Sequence, residues 1–341
     1  PRIDYSDSST EPSLLLEPQS TNLLPYSSNL TSWTKIVSSV SYLENVINPS
    51  GKTFASKITQ TSSGGYIQLS RTFTGVETFS AFVKKSSSDF VRFYAGGNSV
   101  YFNILNGTIE TISGSVEDKS ITDFGNGWFR ISITVNSTSS SSVRIYPASS
   151  GSSTSGLNSL FVYGTQLEVG SYATSYIPSL SGSTTTRLAD ACNNSGSAQD
   201  FNSESGVLYA EIAALADDLT NRKISISNGS STQRILLSYS TISNALVFQV
   251  VNSTLQVNLS YILTDIKLLT KVAVKWKLNN FALWVNGVEV AIDSSGLTPI
   301  GLTELSFDRG FAGENFYGKI KDLQVFTTAL TDEQLAALTT I

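Results

Sequence analysis

The sequence contains no histidine and no methionine, and only one cysteine, Cys192. Without imidazole, neither a Ser-His-Asp nor a Cys-His nucleophile can be assembled, and imidazole-ligated zinc, iron and copper are excluded. One cysteine gives no intrachain disulfide and no thiolate cluster. Carboxylate chemistry stays open, and so do oxygen-ligand Ca²⁺ sites. Charge is also scarce: 14% of residues carry it, 22 basic against 27 acidic, for a net charge of −5. With a pI near 4.9 there is no basic footprint, so nucleic acid is not an expected partner. No apolar run approaches the roughly 18 residues of a spanning helix, and no signal peptide is visible, so membrane insertion is not expected. The missing methionine and the opening Pro1-Arg2-Ile3 suit a piece of a longer chain.

What is present is length, apolar residues and hydroxyls. The chain has 341 residues, 40% of them hydrophobic, and a prior of about 150 residues per domain suggests two domains. Serine and threonine make up about a quarter of the chain, a composition that suits exposed strand faces and turns. Apolar residues alternate at Ile67, Leu69 and Phe73, at Phe79, Ala81 and Val83, at Val100, Phe102 and Ile104, and at Phe129, Ile131, Ile133 and Val135. Such period-2 runs, separated by Gly96-Gly97-Asn98 or Gly125-Asn126-Gly127, are the signature of β-sandwiches. The expected fold is all-β: two jelly-roll sandwiches in tandem, with an extended N-terminal arm and a short C-terminal helix.

The expected boundaries are 1–21 for the arm, 22–178 for the first sandwich, 179–203 for a Ser/Thr/Gly-rich linker and 204–341 for the second sandwich. In the arm, Leu14-Leu15-Leu16 lies between Pro12 and Pro18. That run is too short for a helix, and its prolines are expected to forbid a central strand. It should bury its leucines against the first sandwich or another subunit. At the other end, Thr331 and Gln334 form a capping box with Asp332 and Glu333 in the first turn, and Leu335 and Leu338 form an apolar pair for docking.

Several motifs resemble a module of phage tail and head-appendage proteins. They are Pro1-Arg2-Ile3-Asp4-Tyr5, Pro12 to Gln19, Thr21-Asn22-Leu23-Leu24, Tyr26-Ser27, Trp33-Thr34-Lys35, Gly127-Trp128-Phe129-Arg130, Gln166 to Pro178, and Thr186 to Asp190. Ser9-Thr10-Glu11 is a small departure before the leucine run. In that family the motifs bracket a jelly roll similar to carbohydrate-binding modules, and the match runs from Pro1 to Asp190. The second half is similar to laminin-G or concanavalin-A-like sandwiches. Its carriers are Val272 to Trp276, Ala282 to Gly287, Phe316 to Ile320, Asp322 to Phe326 and Ala329 to Glu333. The resemblance implies a virion location, other virion proteins as partners, and a homo-oligomer, with a trimer favoured.

Glycan binding needs aromatic faces and planar polar groups. In the first sandwich Arg92 alternates with Tyr94 and Arg144 with Tyr146, on the face opposite the core pattern, and Tyr101 and Tyr163 are expected on neighbouring strands. In the second, Val272, Val274 and Trp276 share one face, as do Phe281, Leu283 and Val285. That leaves Trp284 off the core face, either free to stack on sugar or covered by a loop or subunit. Trp33 and Trp128 are expected to be structural. Asp217, Asp218, Asp308 and Glu314 are weak Ca²⁺ candidates in expected loops, without an Asp-x-Asp-x-Asp-Gly motif, and no other cofactor is implied. Adjacent acids such as Glu117-Asp118 and Asp217-Asp218 would point to opposite faces of a strand, and no Glu-x-Asp-x-x-Glu motif occurs, so no catalytic residue is assigned. The expected function is non-enzymatic binding of host surface glycans by a virion appendage. The alternatives are a purely structural spacer and, less favoured, a polysaccharide depolymerase.

Overall fold

The computed structural model describes residues 2–5, 11–43 and 45–341; Pro1 and the Ser9-Thr10 departure lie outside the described residues. The fold is nearly all β, and the chain divides into two compact units. One unit is Gln19–Leu188; the other combines the described part of residues 1–18 with Ala189–Ile341.

The Gln19–Leu188 unit is a sandwich of two six-stranded antiparallel sheets. In the first, the strands run in the order Thr108–Ser113, Asn98–Asn103, Phe90–Ala95, Ser140–Ala148, Tyr66–Thr72, Thr34–Ile36. The second runs Asp118–Asp123, Trp128–Ser137, Gly75–Lys85, Ser159–Val169, Ala55–Gln60, Ser38–Leu43. Period-2 alternation turns Ile67, Val91, Phe93, Val100, Phe102, Val143 and Ile145 inward from one sheet to meet Phe79, Ala81, Val83, Ile131, Ile133 and Val162 of the other. Phe79 and Phe93 stack across the core with centroids 4.6 Å apart. Trp33 is buried in this core, and the Trp128 indole donates to the Ile47 carbonyl at 2.9 Å, so both are structural. Gly125, Asn126 and Gly127 all take positive φ, the backbone state for which glycine and asparagine are suited.

The Gln166 to Pro178 motif acts as a latch within this unit. The buried Glu168 carboxylate accepts from Gln166 Nε2 (2.7 Å), Thr174 N (2.8 Å), Thr174 Oγ1 (2.7 Å) and Ser20 Oγ (2.5 Å). Gln166 Oε1 accepts from Ile177 N at 2.6 Å, and Asn22 Nδ2 donates to the Thr165 and Ile177 carbonyls. A buried carboxylate needs this many donors to offset its desolvation.

The other unit packs a seven-stranded sheet on a five-stranded one. The first runs Arg2–Asp4, Ser13–Leu16, Gly318–Phe326, Ser205–Ala214, Thr270–Lys277, Phe281–Val285, Val288–Asp293. The second runs Thr254–Ile262, Ala245–Asn252, Gln233–Tyr239, Arg222–Ser227, Glu304–Ser306. The leucine arm therefore joins the second sandwich, and not the first sandwich or another subunit as expected. Leu14 pairs with Ile320 and Leu16 with Gly318, and Leu16 is 1% exposed in the core. The strand is also internal to the sheet, between Arg2–Asp4 and Gly318–Phe326. Pro12 and Pro18 lie outside its four residues, so every N–H from Ser13 to Leu16 stays available to the ladders. Arg2 ties the arm down through Glu17 (2.6 Å) and Asp190 (3.3 Å).

The expected linker is not a free tract either. Thr185–Arg187 pairs with Ser20–Asn22, while Ser195 bridges to Leu305 and the Cys192 carbonyl accepts from Phe307 N. Each half is fixed by hydrogen bonds within its own unit. The C-terminal helix Asp332–Thr339 begins at the capping box read from the sequence, with Thr331 N donating to Gln334 Oε1 at 2.9 Å. Among the described residues no helix is long and apolar enough to cross a membrane.

Candidate functional site: a lattice of arginine and tyrosine

In the first unit, inward turning of Ile67, Phe93, Val100, Phe102, Val143 and Ile145 sends their strand neighbours Tyr66, Arg92, Tyr94, Tyr101, Arg144 and Tyr146 to the opposite face. The register sets arginine beside tyrosine: Tyr101 opposite Arg92, Arg92 opposite Tyr146, and Tyr94 opposite Arg144. The Arg92 guanidinium lies over the Tyr101 and Tyr146 rings, 5.6 and 5.0 Å from their centroids. That of Arg144 lies over Tyr66 and Tyr94, at 5.1 and 4.4 Å. Tyr66 and Tyr146 complete the array with centroids 4.4 Å apart. Five of the predicted residues thus converge across three strands. Tyr66 is the sixth member and was not among them. Its outward direction follows from Ile67, but its place beside Tyr146 depends on the pairing of Tyr66–Thr72 with the distant strand Ser140–Ala148.

The two arginines are held differently. Arg144 Nε donates to Ser142 Oγ at 2.8 Å and its Nη1 to the Tyr146 hydroxyl at 3.2 Å. Burial pushes the Tyr146 phenol up from its ordinary value, against the opposing pull of Arg144, so it stays protonated at neutral pH. Arg92 has no side-chain hydrogen bond and no ion pair among the described residues, and its Nε is buried without a partner. The loop after Ser140–Ala148 runs from the edge strand to the turn before Tyr66: Gly151 O accepts from Thr111 N, and Thr154 O from Gly64 N. A Cβ at Gly151 would come within 2.9 Å of Glu110 Cβ, so this close approach requires glycine.

Two predicted residues do not belong to this face. Tyr163 lies in the other sheet, on Ser159–Val169, and is 5% exposed in a cluster with Ala55, Phe82 and Trp128. Its alternation does place it off the main core, but a second apolar cluster fills that side. Trp284 does sit opposite the core, yet it is only 6% exposed. The C-terminal helix lays Leu335 over it, with Val207, Tyr209, Ala273 and Ala282 completing the cluster. Lys275 on the same face pairs with Asp332 at 3.0 Å.

The weak Ca²⁺ candidates are occupied by other partners. Asp218 binds Arg222 at 2.6 Å and Glu314 binds Lys223 at 2.8 Å. Asp217 accepts from Ser243 and Asn244, and Asp308 from Gly310 N and Asn193. Among the described residues no three acidic, cysteine or histidine side chains gather in a way that could hold a metal. A smaller cation–aromatic cluster, not foreseen from the sequence, places Arg234 and Arg309 over Phe311 at 5.0 and 4.1 Å.

No family model matches the chain, and no curated protein does. Among solved structures it is similar to the IT-sialidase CBM40 of Ruminococcus gnavus, with 18% identity over 44% of this chain and 94% of that one and a TM-score of 0.37. A heptameric SAP-like pentraxin from Limulus polyphemus is 17% identical over 43% of this chain and 74% of that one, with a TM-score of 0.36. Mouse laminin α1 domains LG4-5 are 10% identical over 88% and 93%, with a TM-score of 0.31.

Proposed function

We propose that this chain is a non-enzymatic, glycan-binding part of a phage virion appendage that attaches to host surface polysaccharide as a homo-oligomer, with a trimer favoured. The observation that carries the binding reading is the alternating array of two arginines and four tyrosines on one sheet face, with no carboxylate among the described residues paired to either arginine. Guanidinium donors match sugar hydroxyls and carboxylates, and the tyrosine rings hold the two guanidiniums in place. The virion setting rests on the sequence motifs that resemble phage appendage proteins. Weak single contacts then act together, since multivalency raises avidity by roughly 10²–10⁴.

The test is binding of the full chain to a panel of immobilised bacterial surface polysaccharides. Binding is expected, with Arg144→Ala lowering it by about tenfold, the scale of one lost charge-assisted hydrogen bond. Failure to bind any member would favour the structural-spacer reading. Release of oligosaccharides from the panel would instead establish a depolymerase.

A further inference from the structure

The array does more than mark a sugar-binding face; it restricts the sugar. Tyr101 and Tyr146 are only 8% and 5% exposed, and guanidiniums already lie over their rings. A pyranose cannot stack on those rings without displacing an arginine. What the centre of the face has to offer is therefore hydrogen-bond donors. Arg144 commits two of its donors to Ser142 and Tyr146. Arg92 commits none to side chains or carboxylates among the described residues, although it is half-buried and its Nε is cut off from water.

The charges of this unit point the same way. Its buried or half-buried acids have partners elsewhere: Glu168 in the Gln166–Thr174 latch, Glu77 at Thr74 and Arg71, and Asp89 at Lys85. Two adjacent cations thus face outward from a net-negative chain with neither neutralised. An unpaired guanidinium in a poorly hydrated site is unfavourable, and a planar carboxylate is the group that fits its fork in two-point fashion.

We propose that this face takes the carboxylate of an acidic polysaccharide, with Arg92 as the anchoring group and Arg144 beside it; this rests on the glycan-binding reading above. Neutral polysaccharide offers no group that would neutralise Arg92.

The experiment measures binding of the full chain to polygalacturonate and alginate, to neutral dextran, and to dextran sulfate. Both polyuronates are expected to bind, dextran not to bind, and dextran sulfate to bind more weakly than the polyuronates. Raising NaCl from 50 to 500 mM should weaken polyuronate binding. Arg92→Gln should lower it at least about tenfold with an unchanged thermal midpoint, which is the order of one charge-assisted, two-point contact. Arg92→Lys, which keeps the charge but loses the fork, should lower it too. Should Arg92→Gln fail to fold, Arg92→Lys and competition by free galacturonate supply the same readout. Dextran binding as tight as polyuronate binding, undiminished affinity in both Arg92 variants, or tighter binding to dextran sulfate would each overturn the proposal. If neutral surface polysaccharides bind and polyuronates do not, only this inference fails; if no polysaccharide binds, the glycan reading falls with it.

Discussion

For single residues, direction and cover are separate matters. Alternation places Trp284 on the face away from Val272, Val274 and Trp276, and the structure agrees. Whether that face is open depends on the helix Asp332–Thr339 that closes over it, which comes much later in the chain. Tyr163 shows the same division, since its side of the sheet is filled by Phe82, Trp128 and Ala55. Trp284→Ala should therefore act on stability alone. It should cost about 3–5 kcal/mol, the usual loss for a buried Trp, in a denaturant titration. Polysaccharide binding by the folded fraction should be unchanged, and a loss of binding at equal stability would return Trp284 to the site.

Among the elements, the N-terminal arm is the instructive case. Its three leucines and bracketing prolines were legible as an extended segment that needs a partner. The partner itself was not, because nothing local links Ser13–Leu16 to Gly318–Phe326 at the opposite end of the sequence. Ladder hydrogen bonds, Leu16 burial and the Lys319–Asp4 pair all fix that choice. Leu16→Ala should destabilise the second sandwich by about 2–5 kcal/mol, as for other buried leucines. Hydrogen exchange should show faster opening of Gly318–Phe326, with the first sandwich unaffected. Equal protection of that strand in the variant would mean the arm contributes little. The C-terminal helix is the opposite case, since its capping box joins Thr331 to Gln334 within one turn and needs no tertiary information.

Across the molecule as a whole, acidification should act mainly through the second sandwich. Burial alone would raise the Asp218 carboxyl, but the Thr220 hydroxyl and the Arg222 guanidinium outweigh it and hold it below its ordinary value. The Lys223 ammonium, against some burial, likewise holds Glu314 low. A carboxyl with a lowered folded-state pKa gives stability that is fully present above its unfolded value. That stability is lost as pH falls through the folded value. With unfolded values of about 3.9 for Asp and about 4.3 for Glu, the thermal midpoint should be flat from pH 7 to about 5 and fall below about 4. Asp218→Asn should lower the neutral-pH midpoint and flatten the acid limb. An unchanged acid limb would show that this carboxylate is not linked to folding.

Local pattern alone was enough to set the class of the molecule. Period-2 alternation with glycine and asparagine turns specifies sheets with one apolar face, and the absence of histidine excludes whole families of chemistry whatever the fold. The same pattern assigns Arg92, Tyr94, Tyr101, Arg144 and Tyr146 to one side of their strands, because that depends only on their immediate neighbours. Long-range pairing supplied what remained: that Arg92 lies between Tyr101 and Tyr146, that Tyr66 joins them, that Trp284 is covered, and that the arm completes the second sandwich. These outcomes depend on contacts between distant segments, where register is set by cores and turns that no local window contains.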